Sequence, residues 1–69
     1  MTKDEILDYL SKRTEYAVKS LMRDLIFEVY GEIKMSVNIG AVSYYDVKEL
    51  EEKLIRGAIN NPKIMHKLT

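Results

Sequence analysis

Cysteine is missing from this chain and histidine occurs once, as His66, so a disulfide framework and a thiolate zinc site are both ruled out. Proline is represented by Pro62 alone and glycine by Gly31, Gly40 and Gly57, which leaves few places where a helix is obliged to stop. The longest uninterrupted apolar run is Leu25-Ile26-Phe27, far short of the roughly 18 residues that a membrane span requires. Asp4 and Glu5 stand where a secretory leader would carry positive charge, and the expected location is the cytoplasm. What remains is 46% apolar and 32% charged residues over 69 positions, the composition of one globular domain, 1–69. A core of that size supplies only about 3–5 kcal/mol, and with no disulfide or metal the remaining staple is association with another chain.

The zero formal net charge hides a division along the chain. Residues 1–52 hold all eleven acids and seven bases, a net of −4, while residues 53–69 hold Lys53, Arg56, Lys63 and Lys67 and no acid, a net of +4.

Periodicity predicts a mainly α fold. Thr2 and Glu5 have the spacing of a capping box, and Met1 is placed to staple onto Ile6. Ile6, Leu7, Leu10, Ala17, Val18, Leu21, Met22, Leu25, Ile26 and Val29 then recur at spacings of three and four. The reading is one long helix over about residues 3–30, close to ~42 Å, with Lys12-Arg13-Thr14 its weakest point and Gly31 its end. Ser43 with Asp46, and Val42 with Val47, announce a second helix over about 44–59. Its expected inner face is Tyr44, Val47, Leu50, Leu54, Ala58 and Ile59, and Gly57-Ala58 marks either a close helix contact or early fraying. Asn61-Pro62 then starts a short helix over 62–68.

Between the two main helices, Ile33, Met35, Val37 and Ile39 alternate with polar residues at a period of two. Residues 31–42 are therefore read as a connector, with 33–39 either a short strand or an irregular loop. A second helix of roughly 23 Å would cover little more than half of the long one. The apolar surplus points to a homodimer, with Leu21, Leu25, Phe27, Val29, Tyr30, Met35 and Val37 as the expected interface.

Little in the sequence supports catalysis. Ser11, Ser20, Ser36 and Ser43 have no base but His66, and Asp24, Glu28 and Glu32 have the i, i+4 spacing of an ordinary solvated helix face. Asp46, Glu49, Glu51 and Glu52 are suited to a hard cation, yet complementing the helix dipole accounts for them without one. The glycines fit no nucleotide-binding fingerprint. No enzyme, cofactor or metal is expected. The function expected is a small non-catalytic regulator or inhibitor acting by protein–protein contact, with Tyr44, Tyr45, Lys63, His66 and Lys67 as partner-binding residues. The alternative is a dimeric DNA-binding regulator using the C-terminal helix pair. Its contacts would be Lys12, Tyr16, Lys19, Arg23, Lys63 and Lys67, although Asp8–Lys12 and Glu15–Lys19 are spaced to neutralise part of that stripe.

Overall fold

The computed structural model describes residues 2–59 as a compact bundle of three helices: α1 (Lys3–Ser20), α2 (Arg23–Asn38) and α3 (Tyr44–Ile59). The staple from Met1, the short helix 62–68, and Lys63, His66 and Lys67 lie outside the described residues. No strand occurs among the described residues, and none of their helices is long and apolar enough to cross a membrane.

Both expected caps are formed. The Glu5 N–H donates to Thr2 Oγ1 at 3.2 Å while Glu5 Oε1 accepts from the Thr2 N–H at 3.3 Å. At the start of α3 the Asp46 N–H donates to Ser43 Oγ at 3.2 Å and Asp46 Oδ2 accepts from the Ser43 N–H at 2.9 Å. Each pair satisfies two backbone donors that a helix start otherwise leaves open.

The expected helix over 3–30 is in fact two helices, and the break falls at Leu21-Met22 rather than at Lys12-Arg13-Thr14. Leu21 closes α1 in the left-handed region, φ 57° and ψ 19°, and Ser20 Oγ holds the corner by donating to the Ala17 carbonyl and accepting from the Met22 N–H. Folding back here lets the two halves of the apolar stripe cover each other. Leu10 and Ala17 of α1 join Ile26, Val29 and Ile33 of α2 and Val47, Leu54 and Ala58 of α3 in one core, closed by Val42 from the connecting turn. The length mismatch that called for a second copy is thereby relieved within the chain.

Gly31 does not end a helix either; it lies exposed in the middle of α2. The stop is Gly40, at φ +78°, with Gly40 N–H donating to the Val37 carbonyl and Ala41 N–H to the Ser36 carbonyl. This is the Schellman arrangement, which needs a residue at ease with positive φ. Residues 33–38, read as a connector with a strand-like run, are therefore helical. Their alternation contains a helical spacing: Ile33 and Val37, four apart, face inward, while Met35 and Ile39, also four apart, are exposed.

The starts of α1 and α3 are tied by Lys3 Nζ to Asp46 Oδ2 at 2.9 Å, and farther along Val18 of α1 packs beneath Gly57 of α3. A Cβ at residue 57 would sit 3.3 Å from Val18 Cγ2, so Gly57-Ala58 is a close helix contact, with Ala58 fully buried. α1 and α3 thus run side by side in the same direction, and α2 returns between their ends.

Candidate functional site

An apolar concavity lies between α2 and α3, a cleft of about 370 Å³ lined by Ile26, Phe27, Tyr30, Leu54 and Ile55. Residues 26, 27 and 30 share one face of α2 by their spacing, and 54 and 55 belong to adjoining faces of α3. Ile26 and Leu54 form its floor as core residues, whereas Ile55 is 43% exposed and Ile59, one turn farther along α3, is 54% exposed. Hollow and ridge stand side by side on the same surface.

The rim is held by a charge pair between the same two helices. Lys34 Nζ lies 3.1 Å from Glu51 Oε1 and 5.3 Å from the centre of the Tyr30 ring. Glu51, read as part of an acidic helix start, is instead a buried residue, and its contact with Lys34 raises the ammonium pKa above the usual lysine range. The cation over the ring fixes Tyr30 against the cleft.

The structure sorts the expected interface residues. Phe27 and Tyr30 line the cleft, Leu21 and Met35 are exposed elsewhere, and Leu25 and Val37 pack at the edge of the chain's own core. Val29 is fully buried inside the bundle and has no surface to offer a partner. Tyr44, expected on the inner face of α3, is 48% exposed and meets Tyr45 edge to face with ring centres 5.9 Å apart. The two rings form an aromatic knob at the start of α3, at the opposite end of that helix from Ile55 and Ile59.

The expected basic stripe is divided by the turn at Leu21-Met22, with Lys12, Tyr16 and Lys19 on α1 and Arg23 at the start of α2, and its charges are only partly free. Lys12 pairs with Asp8 at 2.9 Å, as its spacing suggests, and Arg23 pairs with Asp24 at 3.4 Å. The Glu15–Lys19 pair is not formed; Lys19 instead borders a second cleft, of about 490 Å³, between α1 and α3, with Thr14, Glu15, Val18, Lys53, Arg56 and Gly57. Sequence reasoning had no way to unite Lys19 with Lys53 and Arg56, because that requires knowing that α1 and α3 lie side by side.

Arg13, Ser43 and Lys3 engage three of the acids considered for chemistry, Glu28, Glu32 and Asp46. Arg13 reaches from α1 to α2 and donates to both oxygens of Glu32, at 3.2 and 2.9 Å, and to Glu28 at 3.4 Å. Asp46 is engaged with Ser43 and Lys3, and among the described residues no three acids or imidazoles lie close enough to hold a metal ion. Ser20 and Ser36 donate to carbonyls of their own helices and Ser43 caps α3, so these three hydroxyls serve the backbone.

Comparison with family models, with curated proteins and with solved structures finds no match to this chain.

Proposed function

We propose that this protein is a non-catalytic regulator or inhibitor that works by protein–protein contact, and that its working form is a homodimer joined through the α2/α3 face. The observation that carries the reading is the cleft between Ile26, Phe27, Tyr30, Leu54 and Ile55, with the exposed Ile55 and Ile59 beside it. A twofold interface brings one surface against itself, so it favours a face that holds a hollow and a knob together. This face has both: the isoleucine ridge of one copy enters the hollow of the other, and the reverse contact forms by symmetry. Aromatic anchors in a hollow are typical of contacts that carry binding energy, and Phe27 and Tyr30 fill that role. The exposed Tyr44–Tyr45 pair, at the far end of α3, stays available for a different protein.

Sedimentation of wild type and Ile55→Lys tests the reading. The wild type is expected as a dimer at micromolar concentration, and Ile55→Lys as a monomer with unchanged helical circular dichroism, since Ile55 lies outside the buried core. A wild-type monomer under those conditions would overturn the proposal. The DNA-binding alternative rests on the C-terminal segment with Lys63 and Lys67, which lies outside the described residues, and on Lys12, Tyr16, Lys19 and Arg23, of which Lys12 and Arg23 are paired with carboxylates; binding of a random DNA duplex at low salt, read by anisotropy, would favour it over the protein-contact reading.

A further inference from the structure

We propose that the α1/α3 cleft is a binding site for a small anion carrying two or more charges, of the phosphate-ester or pyrophosphate class. Lys19 enters it from α1 and Lys53 and Arg56 from α3, and among the described residues none of the three is paired with a carboxylate. Of the nine described lysines and arginines five are ion-paired, and of the four that are not, three stand around this one concavity and Lys48 alone lies elsewhere. Arg56 is steadied by its Nε donating to the Glu52 carbonyl at 3.4 Å, which leaves its terminal nitrogens for a ligand.

A second observation comes from beneath. Thr14 lines the same cleft, is fully buried, and its Oγ1 has no hydrogen-bond partner. A buried hydroxyl with no partner weakens a fold, and valine has nearly the same shape without that penalty. Threonine at this position is accounted for if its hydroxyl donates to a ligand oxygen, with a small displacement of the side chains above it. Gly57 keeps the floor low by letting α3 approach Val18.

The charge balance selects the ligand. Glu15 stands on the rim, and the C-terminal end of α1 lies close by with its partial negative charge. These offset part of the three cations, so a singly charged carboxylate gains little while a dianion or trianion still gains. A nucleic-acid backbone would need a longer basic track, and the nearest extension along α1, Lys12, is already paired with Asp8, while Arg23 lies beyond the turn on α2. The site is independent of the α2/α3 face and would stand if the dimer did not.

Titration of the full chain with pyrophosphate in low-salt chloride buffer, followed by amide shifts in nuclear magnetic resonance, tests the assignment. Saturable shifts are expected at residues 14–19 and 53–57. Lys53→Gln and Arg56→Gln should each weaken binding about tenfold, while Lys48→Gln, at an exposed lysine outside the cleft, leaves it unchanged. Thr14→Val should weaken binding severalfold and at the same time raise the melting temperature, a pairing that a purely structural threonine would not produce. Shifts that never saturate, an effect of Lys48→Gln equal to that of Lys53→Gln, or unchanged binding by Thr14→Val would overturn the assignment. So would a random DNA duplex that binds more tightly than pyrophosphate and displaces it.

Discussion

Residues of one type carry opposite meanings in this chain, and the glycines make the contrast measurable. Gly31 sits mid-helix with nothing within 4 Å of the place a Cβ would occupy, so it contributes flexibility and no contact. Gly31→Ala should stabilise the protein by about 0.5–1 kcal/mol. For a chain of this size that corresponds to a rise in melting temperature of roughly 2–8 °C. Gly40 also has open space around it, yet its φ of +78° is the conformation that the turn after α2 requires. Gly40→Ala is expected to destabilise by about 1 kcal/mol, since an L side chain is strained there. Thermal melts of the two variants should move in opposite directions, and a shift of the same sign in both would contradict the assignment of Gly40 as the helix stop. The sequence offers two glycines nine positions apart between apolar runs and nothing that says which one turns the chain.

At the scale of elements, the caps could be read directly and the break could not. Thr2 with Glu5, and Ser43 with Asp46, are local pairs whose chemistry is complete within four residues, so the starts of α1 and α3 were legible. The turn at Leu21 has no glycine, proline or asparagine to announce it; it exists because Leu10 and Ala17 gain cover from Ile26, Val29 and Ile33 once the chain folds back. That gain depends on tertiary packing, which periodicity does not encode. The same limit hid both clefts, since each is made by two helices whose adjacency had to be known first. The cap at Asp46 also gives a pH dependence. The Ser43 backbone N–H, then Lys3, then the Ser43 hydroxyl hold this carboxyl down from 3.8 to about 2. A carboxyl with a depressed folded pKa binds its proton more readily in the unfolded chain, so its contribution is complete above about pH 4 and is lost as pH falls toward about 2. Urea midpoints measured across that window should fall more steeply with acidification for wild type than for Asp46→Asn. Parallel slopes would mean that the capping box and the Lys3 pair do not act on the Asp46 charge in solution.

For the whole molecule, the question is whether this core suffices alone. Among the described residues nine buried apolar side chains make up the interior, and five of them, Leu10, Ile33, Leu54, Val29 and Val47, are the largest apolar ones that are fully enclosed. Two inter-helix charge contacts, Arg13 with Glu32 and Lys34 with Glu51, add direction more than energy, because Arg13 and Lys34 are both partly open to water. Truncating Ile33 to alanine should cost about 2–5 kcal/mol through lost burial and the cavity left behind. A bundle of this length has only about 3–5 kcal/mol to lose, so the variant stands near its unfolding midpoint. If two copies associate through the Ile55 face when folded, mass action favours the folded state as protein concentration rises, by up to about 2.7 kcal/mol over a hundredfold increase. Ile33→Ala should therefore be largely unfolded by circular dichroism when dilute and regain helix when about a hundredfold more concentrated. The double variant Ile33→Ala with Ile55→Lys should lack that recovery, because the ridge that joins the copies carries a charge. Recovery that persists in the double variant would place the self-association somewhere other than the α2/α3 face. Equal helicity of Ile33→Ala at both concentrations would mean that the fold is sustained by one chain, with the apolar cleft left for a different partner.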